Sequence, residues 1–396
     1  MLTNIFNLKY FISNGATKKL KSPFLRKWFD YLSFALSGLD AAHTQAAPVA
    51  YTMGDLHYPN RVLDYPMGGM GSLIQALVRA GGDLRVNTRV EQFIVEEDET
   101  SGQPHCTGVI VSKKDGQQQR IKAKKGVVCN APLWNMAKIL KDSCNNMTKS
   151  SDKLKGIVQE IQEQATNMNM TGSFMHLHLA IPKDGLPDNL ECHHSVLNFD
   201  KDVTEEQNLV IISIPTVFDP SLAPDGYHIV HAYTAASENF DDWESFLENQ
   251  TENGKVGYSP NSGKSMTYNK QVGYSDLKEE KAEALWNAIE RVIPDVRERA
   301  EYDGSIVMLG TPLTHRRYNQ RFRGTYGPAP STGKDVWELM GSQTKLKGLL
   351  ACGDTTFPGI GLPGVAASGT IAANTIATVD QQLNLMSKLR QKGSLQ

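Results

Sequence analysis

The residues best suited to chemistry lie near the C-terminal end, where Gly353-Asp354 is followed by Gly359-Ile-Gly361-Leu-Pro-Gly364. These glycines satisfy the spacing G-x-G-x-x-G. In a dinucleotide-binding turn that spacing directly follows a strand, and an acidic residue closes a second strand ~20 residues later. Here a loop separates the glycines from the strand ending at Cys352, and Asp380 lies in a helical tail. The glycines are therefore not read as that fingerprint. A Gly-Asp pair at a strand end, a Pro/Gly loop and a helix of Gly and Ala imply free backbone N–H groups at a helix start. Without bulky side chains, a flat ligand could approach the backbone closely, and the helix dipole would favour its oxygen atoms. Asp354 could accept hydrogen bonds from the hydroxyls of a sugar or ribityl chain. Tight helix–sheet packing, with Asp354 as a cap, is the structural alternative.

Other reactive side chains carry less information. His176 and His178 share one face of a strand, His228 and His231 lie on another strand, and His193-His194 fall in a loop. A His-x-His pair on a strand can bind metal. No Asp or Glu accompanies these histidines, so packing or surface roles are expected and no metal site is assigned. His315 could donate a proton or simply pack. Arg316 and Arg317 could pair with a carboxylate, contact a cofactor or cap a sheet edge. No Ser-His-Asp arrangement stands out, and the acidic run Glu238 to Glu244 reads as a solvated face. The five cysteines form no Cys-x-x-Cys pair, which fits a reducing compartment and argues against structural zinc.

The elements that must position these groups follow from periodicity. Phe24, Leu25, Trp28, Tyr31, Leu32, Phe34 and Leu36 recur at helical spacing, with Ser22-Pro23 to start the helix and Gly38 to stop it. Gly68-Gly69-Met70-Gly71 predicts a tight turn opening a short helix that Gly81-Gly82 ends. Leu84, Val86, Thr88 and Val90 alternate as a strand. Gly108–Val111 and Arg120–Lys124 around Asp115-Gly116 predict a hairpin. Residues 126–129, 173–179, 209–214 and 227–233 read as strands, and Leu277 to Ile293 as an amphipathic helix stopped by Pro294. Leu349 to Cys352 is a buried strand. The polar stretch 248–272 reads as an exposed loop.

Composition narrows the class. Over 396 residues, 40% apolar and 21% charged side chains are ordinary for a globular protein, and a net charge of −2 gives no reason to expect a nucleic-acid partner. No window of ~18 apolar residues spans a membrane, and no secretory signal is read at the N-terminus. The basic cluster Lys18-Lys19-Leu20-Lys21 with Arg26-Lys27 could meet an anionic membrane surface; a solvated helix end is the simpler reading.

At this point a resemblance becomes specific. Gly353 to Gly369 resembles the C-terminal FAD motif of the flavoprotein group holding phytoene desaturases, carotenoid isomerases and flavin amine oxidases. Gly310-Thr-Pro-Leu-Thr-His-Arg-Arg-Tyr318, continuing to Arg323-Gly-Thr-Tyr-Gly-Pro328, is similar to the Thr-His-Arg-Arg stretch of carotenoid isomerases. Tyr65 to Leu73 resembles that family's Gly-Gly-Met-Gly turn. The resemblance implies FAD held through Val90, Gly353, Asp354, Gly361, Leu362, Pro363 and Val365, with His315 and Arg316 as candidate catalytic groups. It implies a carotenoid or other polyene substrate, a plastid setting and peripheral membrane contact; oligomeric state is left open. A cis-trans isomerase is expected, with a desaturase, saturase or amine oxidase of the same superfamily as alternatives. Family members open with a strand, G-x-G-x-x-G, a helix and a ribose-binding acid, and nothing before Tyr65 resembles that segment. The expectation is therefore a chain shortened at its N-terminus, with FAD binding weakened or lost, or a non-catalytic binding form.

The expected fold class is α/β, with a partial Rossmann-like FAD lobe of glutathione-reductase type, its first βαβ unit missing, and a substrate lobe of antiparallel sheet and helices. Residues 1–60 are assigned to a helical lid, 61–135 and 345–380 to the FAD lobe, 136–344 to the substrate lobe and 381–396 to a tail.

Overall fold

A computed structural model describes residues 20–44, 49, 53–54, 65–98, 100–147, 150–248, 272–329 and 339–393. Most of the stretch 248–272, together with Lys18 and Lys19, lies outside the described residues. In chain order the elements are α1 (Pro23–Ser37), α2 (Gly71–Arg79), β1 (Thr88–Glu97), β2 (Pro104–Lys113), β3 (Gln118–Lys122), β4 (Val127–Cys129), α3 (Leu133–Asn145), α4 (Asp152–Asn167) and β5 (His176–Pro182). They continue as β6 (His193–Leu197), β7 (Leu209–Ser213), β8 (Tyr227–Thr234), α5 (Asp241–Glu248), α6 (Tyr274–Glu290), α7 (Val296–Ala300), β9 (Ile306–Gly310), α8 (Pro312–Asn319), β10 (Leu349–Ala351), α9 (Leu362–Ile376) and α10 (Val379–Gln391). This is a mixed α/β fold. It divides into two compact units, one of Met1–Arg85 with Met170–Thr332 and one of Val86–Asn169 with Gly333–Gln396.

The first unit is organised by a five-stranded antiparallel sheet in the order β6-β7-β8-β5-β9. Strand alternation sends Leu177, Leu179, Ile181, Val210, Ile212, Val230 and Ala232 to one face, where they pack with Trp243 and with Leu285, Ala288 and Ile289 of α6. Helix α1 is closed at both ends as its residues predict. The Leu25 N–H donates to Ser22 Oγ, Pro23 occupies the first turn, and Gly38 at φ 72° donates its N–H to the Phe34 carbonyl. Helix α2 is set by the glycine turn before it, where the Gly68 N–H donates to Asp219 Oδ2 at 2.6 Å.

The second unit holds a three-stranded antiparallel sheet, β1-β2-β3, and a parallel pair, β10-β4. The β2–β3 hairpin turns at Asp115-Gly116 as its sequence predicts. Helix α3 covers the outer edge of β1, and its Ser143 Oγ accepts the Phe93 N–H at 2.9 Å.

Two sequence expectations need correction here. Apolar alternation predicts a strand from Leu84, yet β1 begins at Thr88. Asn87 has φ 53°, a left-handed conformation that breaks the extended backbone, and Leu84 and Val86 are exposed. His193 and His194 are not in a loop; both lie in β6, paired with Ser213 and Ile212 of β7. A five-residue strand ending a polar segment carries too little alternation to be seen in the sequence.

Candidate functional site

The expected cofactor loop is built around β10. Leu349, Leu350 and Ala351 are all buried, pairing in register with Val127, Val128 and Cys129. The Cys352 N–H extends that pairing to the Cys129 carbonyl. Gly353 then turns the chain with φ 111°, and its N–H donates to Ser368 Oγ at 3.0 Å. A Cβ on Gly353 would stand 2.9 Å from Asn130 Oδ1. Half-buried Asp354 follows, and buried Thr355 accepts the Leu133 N–H through its hydroxyl, fixing the start of α3 to this loop.

Beyond the turn the backbone folds closely on itself. A Cβ on Gly364 would meet the Gly359 carbonyl oxygen at 2.6 Å, so glycine is required for this approach. Gly361, at φ 93°, is the N-cap of α9, and no side chain caps that helix; Pro363 lies in its first turn. Gly361, Leu362 and Pro363 are exposed, Val365 is half-buried, and Ala366 and Ala367 are exposed. An uncapped helix start faced by small residues, next to a Gly-Asp strand end, fits the oxygen-rich, planar flavin–ribityl end of FAD. Six of the seven residues expected at the cofactor thus meet in one strand–loop–helix. Val90 lies on β1, in the other sheet of the same unit, paired with Val111.

The first unit concentrates a different chemistry. On the sheet face opposite its core, Met308, His178, His231, Ser213 and His193 form one cross-strand row, and Gly310, His176, Tyr233, Ile211 and Ser195 form the next. Neither row contains a charged residue. His176 Nδ1 and His231 Nε2 are hydrogen-bonded at 2.8 Å. The His178 and His231 rings are parallel to within 1°, with centroids 4.2 Å apart. Burial drives the His176 imidazolium down to about 2 and that of His231 to about 4, with neighbouring imidazoles adding to the effect; burial also lowers His178. All three rings are neutral at physiological pH.

His315 and Arg316 lie on α8, whose Thr311 side chain caps the N-terminus at Thr314 and whose Pro312 takes the first turn. The His315 ring packs 4.1 Å from that of Phe174, and its Nδ1 meets Asn319 Nδ2 at 3.0 Å. Burial, aided by Arg321, pushes its imidazolium down to about 4, so at neutral pH the ring is uncharged. The Arg316 guanidinium sits 5.9 Å over the Phe240 ring, which Arg323 also approaches while pairing with Asp241 and Glu244.

Glu238 is the residue that the sequence reading misplaced. It is fully buried, not part of a solvated face; its Oε1 accepts from Thr234 Oγ1 at 2.8 Å and Gln207 Nε2 at 2.9 Å. Burial raises its carboxyl to about 7. Acidic neighbours that do point to solvent at the start of α5 masked it in the sequence. The stacked histidines were also missed as a group, because only the register of β5 with β8 brings His231 beside His178.

A family model described as an FAD binding domain matches residues 22–190. Among curated proteins the chain is similar to prolycopene isomerases, chloroplastic proteins of Arabidopsis thaliana and Daucus carota. It is 30% identical to the first over 88% of this chain and 51% of that protein, and 30% identical to the second over 91% and 51%. The chain thus spans about half the length of the curated relatives it matches. A crystal structure of an oxidoreductase from Methanosarcina mazei shares the fold, with a TM-score of 0.52 and 15% identity over 94% of this chain and 71% of that one. The chain is thus similar to chloroplastic prolycopene isomerases and, over residues 22–190, to FAD binding domains. Among the described residues, no helix is long and apolar enough to cross a membrane.

Proposed function

We propose that this chain acts on a carotenoid or related polyene as an FAD-dependent cis-trans isomerase. The observation that carries this reading is the pair of uncharged cross-strand rows on the first unit's sheet, a half-buried face of imidazole, phenol and aliphatic groups whose second row packs against Phe34 and Tyr31 of α1. A long conjugated hydrocarbon offers no charge or hydrogen bond, and it is accommodated where no ion must be desolvated. The similarity to prolycopene isomerases over about nine-tenths of the chain supports the same substrate class.

In this reading Gly353, Asp354, Gly361, Leu362, Pro363 and Val365 hold the flavin end of the cofactor, and Val90 meets its adenine end. The second unit is then a partial Rossmann-like lobe whose parallel sheet contributes β10 and β4. FAD in its reduced form, when bound, would supply transient electron density to a double bond or assist its reversible protonation, lowering bond order with no net redox change. The chain's own residues act by placement. Backbone N–H groups at the start of α9 orient oxygen atoms, and Asp354 accepts from hydroxyls. His315, held neutral by burial, offers a hydrogen bond at the apolar site rather than a full positive charge. Arg316, stacked on Phe240, positions α8. A plastid location with peripheral membrane contact is proposed on the same basis as the substrate.

The test is to purify the chain, add FAD, pass it through gel filtration and record its visible spectrum. The flavin-loaded protein is then reduced without oxygen and given a poly-cis carotene. Retained flavin with conversion to the trans isomer at unchanged mass is expected. Loss of two hydrogens from the product would make the chain a desaturase, and absence of both flavin and conversion would overturn the proposal.

A further inference from the structure

We propose that His176, His178 and His231 form a binding site for a divalent transition-metal ion such as Zn2+ or Co2+. Each imidazole offers one nitrogen, and the three nitrogens lie within 4.8 Å of one another. Zn–N bonds of about 2.0–2.1 Å in a tetrahedral site place ligand nitrogens about 3.4 Å apart. His176 Nδ1 and His231 Nε2, now 2.8 Å apart, must open by roughly half an ångström to receive an ion. His178 must swing in by at most about 1.4 Å, and its ring must turn out of the parallel stack with His231 so that both lone pairs converge on the ion.

The backbone places the ligands firmly. β5 and β8 pair without a shift from His176↔Tyr233 to Pro182↔Tyr227, and β5 is central, flanked by β9 on its other side. The leucines that alternate with the histidines along β5 are fully buried in the core, so the strand cannot slip a residue without exposing them. The donor set decides the ion. Three imidazoles and no carboxylate suit Zn2+, Co2+, Ni2+ or Cu2+ and disfavour Mg2+ and Ca2+. Three protein ligands leave a tetrahedral ion one open position, the arrangement of sites that bind water or substrate rather than of closed structural sites. The hydrogen bond between His176 and His231 gives way on binding: the ring that donates shifts its proton to its other nitrogen, and both facing nitrogens become acceptors for the ion. The site does not rest on the loop assigned to the flavin, but it uses the histidines of the face assigned to the polyene, so an ion and a polyene exclude each other there.

Untagged full-length chain, stripped with EDTA and freed of chelator, is titrated with Co2+ with and without FAD. One equivalent is expected to give the intense visible bands of tetrahedral Co2+, which one equivalent of Zn2+ then bleaches, whatever the flavin content. Proton spectra of the Co2+ form should show three strongly shifted imidazole N–H signals. His178→Ala and His231→Ala should each weaken binding at least about tenfold, while His193→Ala and His228→Ala leave it unchanged. Absence of saturable binding, survival of the bands in the His178→Ala/His231→Ala double variant, or a count other than three shifted signals would overturn the site. The signal count is read on the unmodified chain, so it decides the matter even if a variant fails to fold.

Discussion

The Glu238 carboxylate and the Thr234 hydroxyl meet at 2.8 Å in a site with no solvent access, four residues apart, where β8 leaves the sheet. Thr234 also accepts the Met175 N–H, so the acid indirectly braces the entry to β5. The second carboxyl oxygen, Oε2, is buried with no hydrogen-bond partner. Such an oxygen is tolerable as a neutral acid and costly as an anion.

Stability should therefore fall as pH rises from about 4.5 to about 7 and level off above that. Below pH 4.5 both folded and unfolded states hold the Glu238 proton. Between 4.5 and about 7 the unfolded chain has released it and the folded chain has not, so folding loses ground with each step in pH. Above 7 the full penalty, about 3 kcal/mol, is present. Glu238→Gln should remove this slope, so its melting temperature should exceed that of the unmodified chain at pH 8 and match it near pH 5. Parallel melting profiles for the two proteins between pH 5 and 8 would refute the account.

Gly364→Ala should disable the cofactor loop while sparing the first unit. The added methyl group would lie 2.6 Å from the Gly359 carbonyl oxygen, a backbone atom that cannot rotate away. Flavin retained after gel filtration should drop at least about tenfold, corresponding to 1.4 kcal/mol or more, with near-unchanged far-ultraviolet circular dichroism. Undiminished flavin retention would show that the loop is not the flavin contact.

Ser143→Ala tests the lock between α3 and β1. Ser143 Oγ accepts the buried Phe93 N–H and donates to the Ile139 carbonyl. Its removal leaves a buried donor unpaired and should cost about 1–3 kcal/mol in denaturant unfolding. Hydrogen exchange at the Phe93 amide should accelerate more than at Val109 on β2. Equal protection at both would mean that the hydroxyl does not hold the strand edge.

Leu177→Ala should destabilise the first unit by about 2–5 kcal/mol, because Leu177 is fully buried in the sheet core and its loss leaves a cavity. The midpoint in urea should fall without a change in slope. A loss under 1 kcal/mol would mean that the core collapses to fill the space.

Local signals in the sequence were enough to define several elements. Ser22, Pro23 and Gly38 bound α1 because caps and a left-handed glycine act within a turn of chain. Gly353-Asp354 through Gly364 was legible as a strand–loop–helix, since the requirement for glycine is written in residue type. The hairpin at Asp115-Gly116 was legible for the same reason.

Relations across the chain were decided only by tertiary structure. Nothing local distinguishes buried Glu238 from the exposed acids of α5 that follow it. Its environment comes from Thr234 and Gln207, and its burial from the packing around the end of β8. His178 and His231 are 53 positions apart in sequence (231 − 178) and acquire a common site only through the β5–β8 register. Register follows from which faces the whole sheet must bury, a global condition to which each strand contributes only its alternation. The sequence by itself therefore determined the caps, the turns and the glycine loop before α9. The fold decided which polar groups lose their water and which imidazoles become neighbours, because burial and cross-strand contact are set by distant segments packing together.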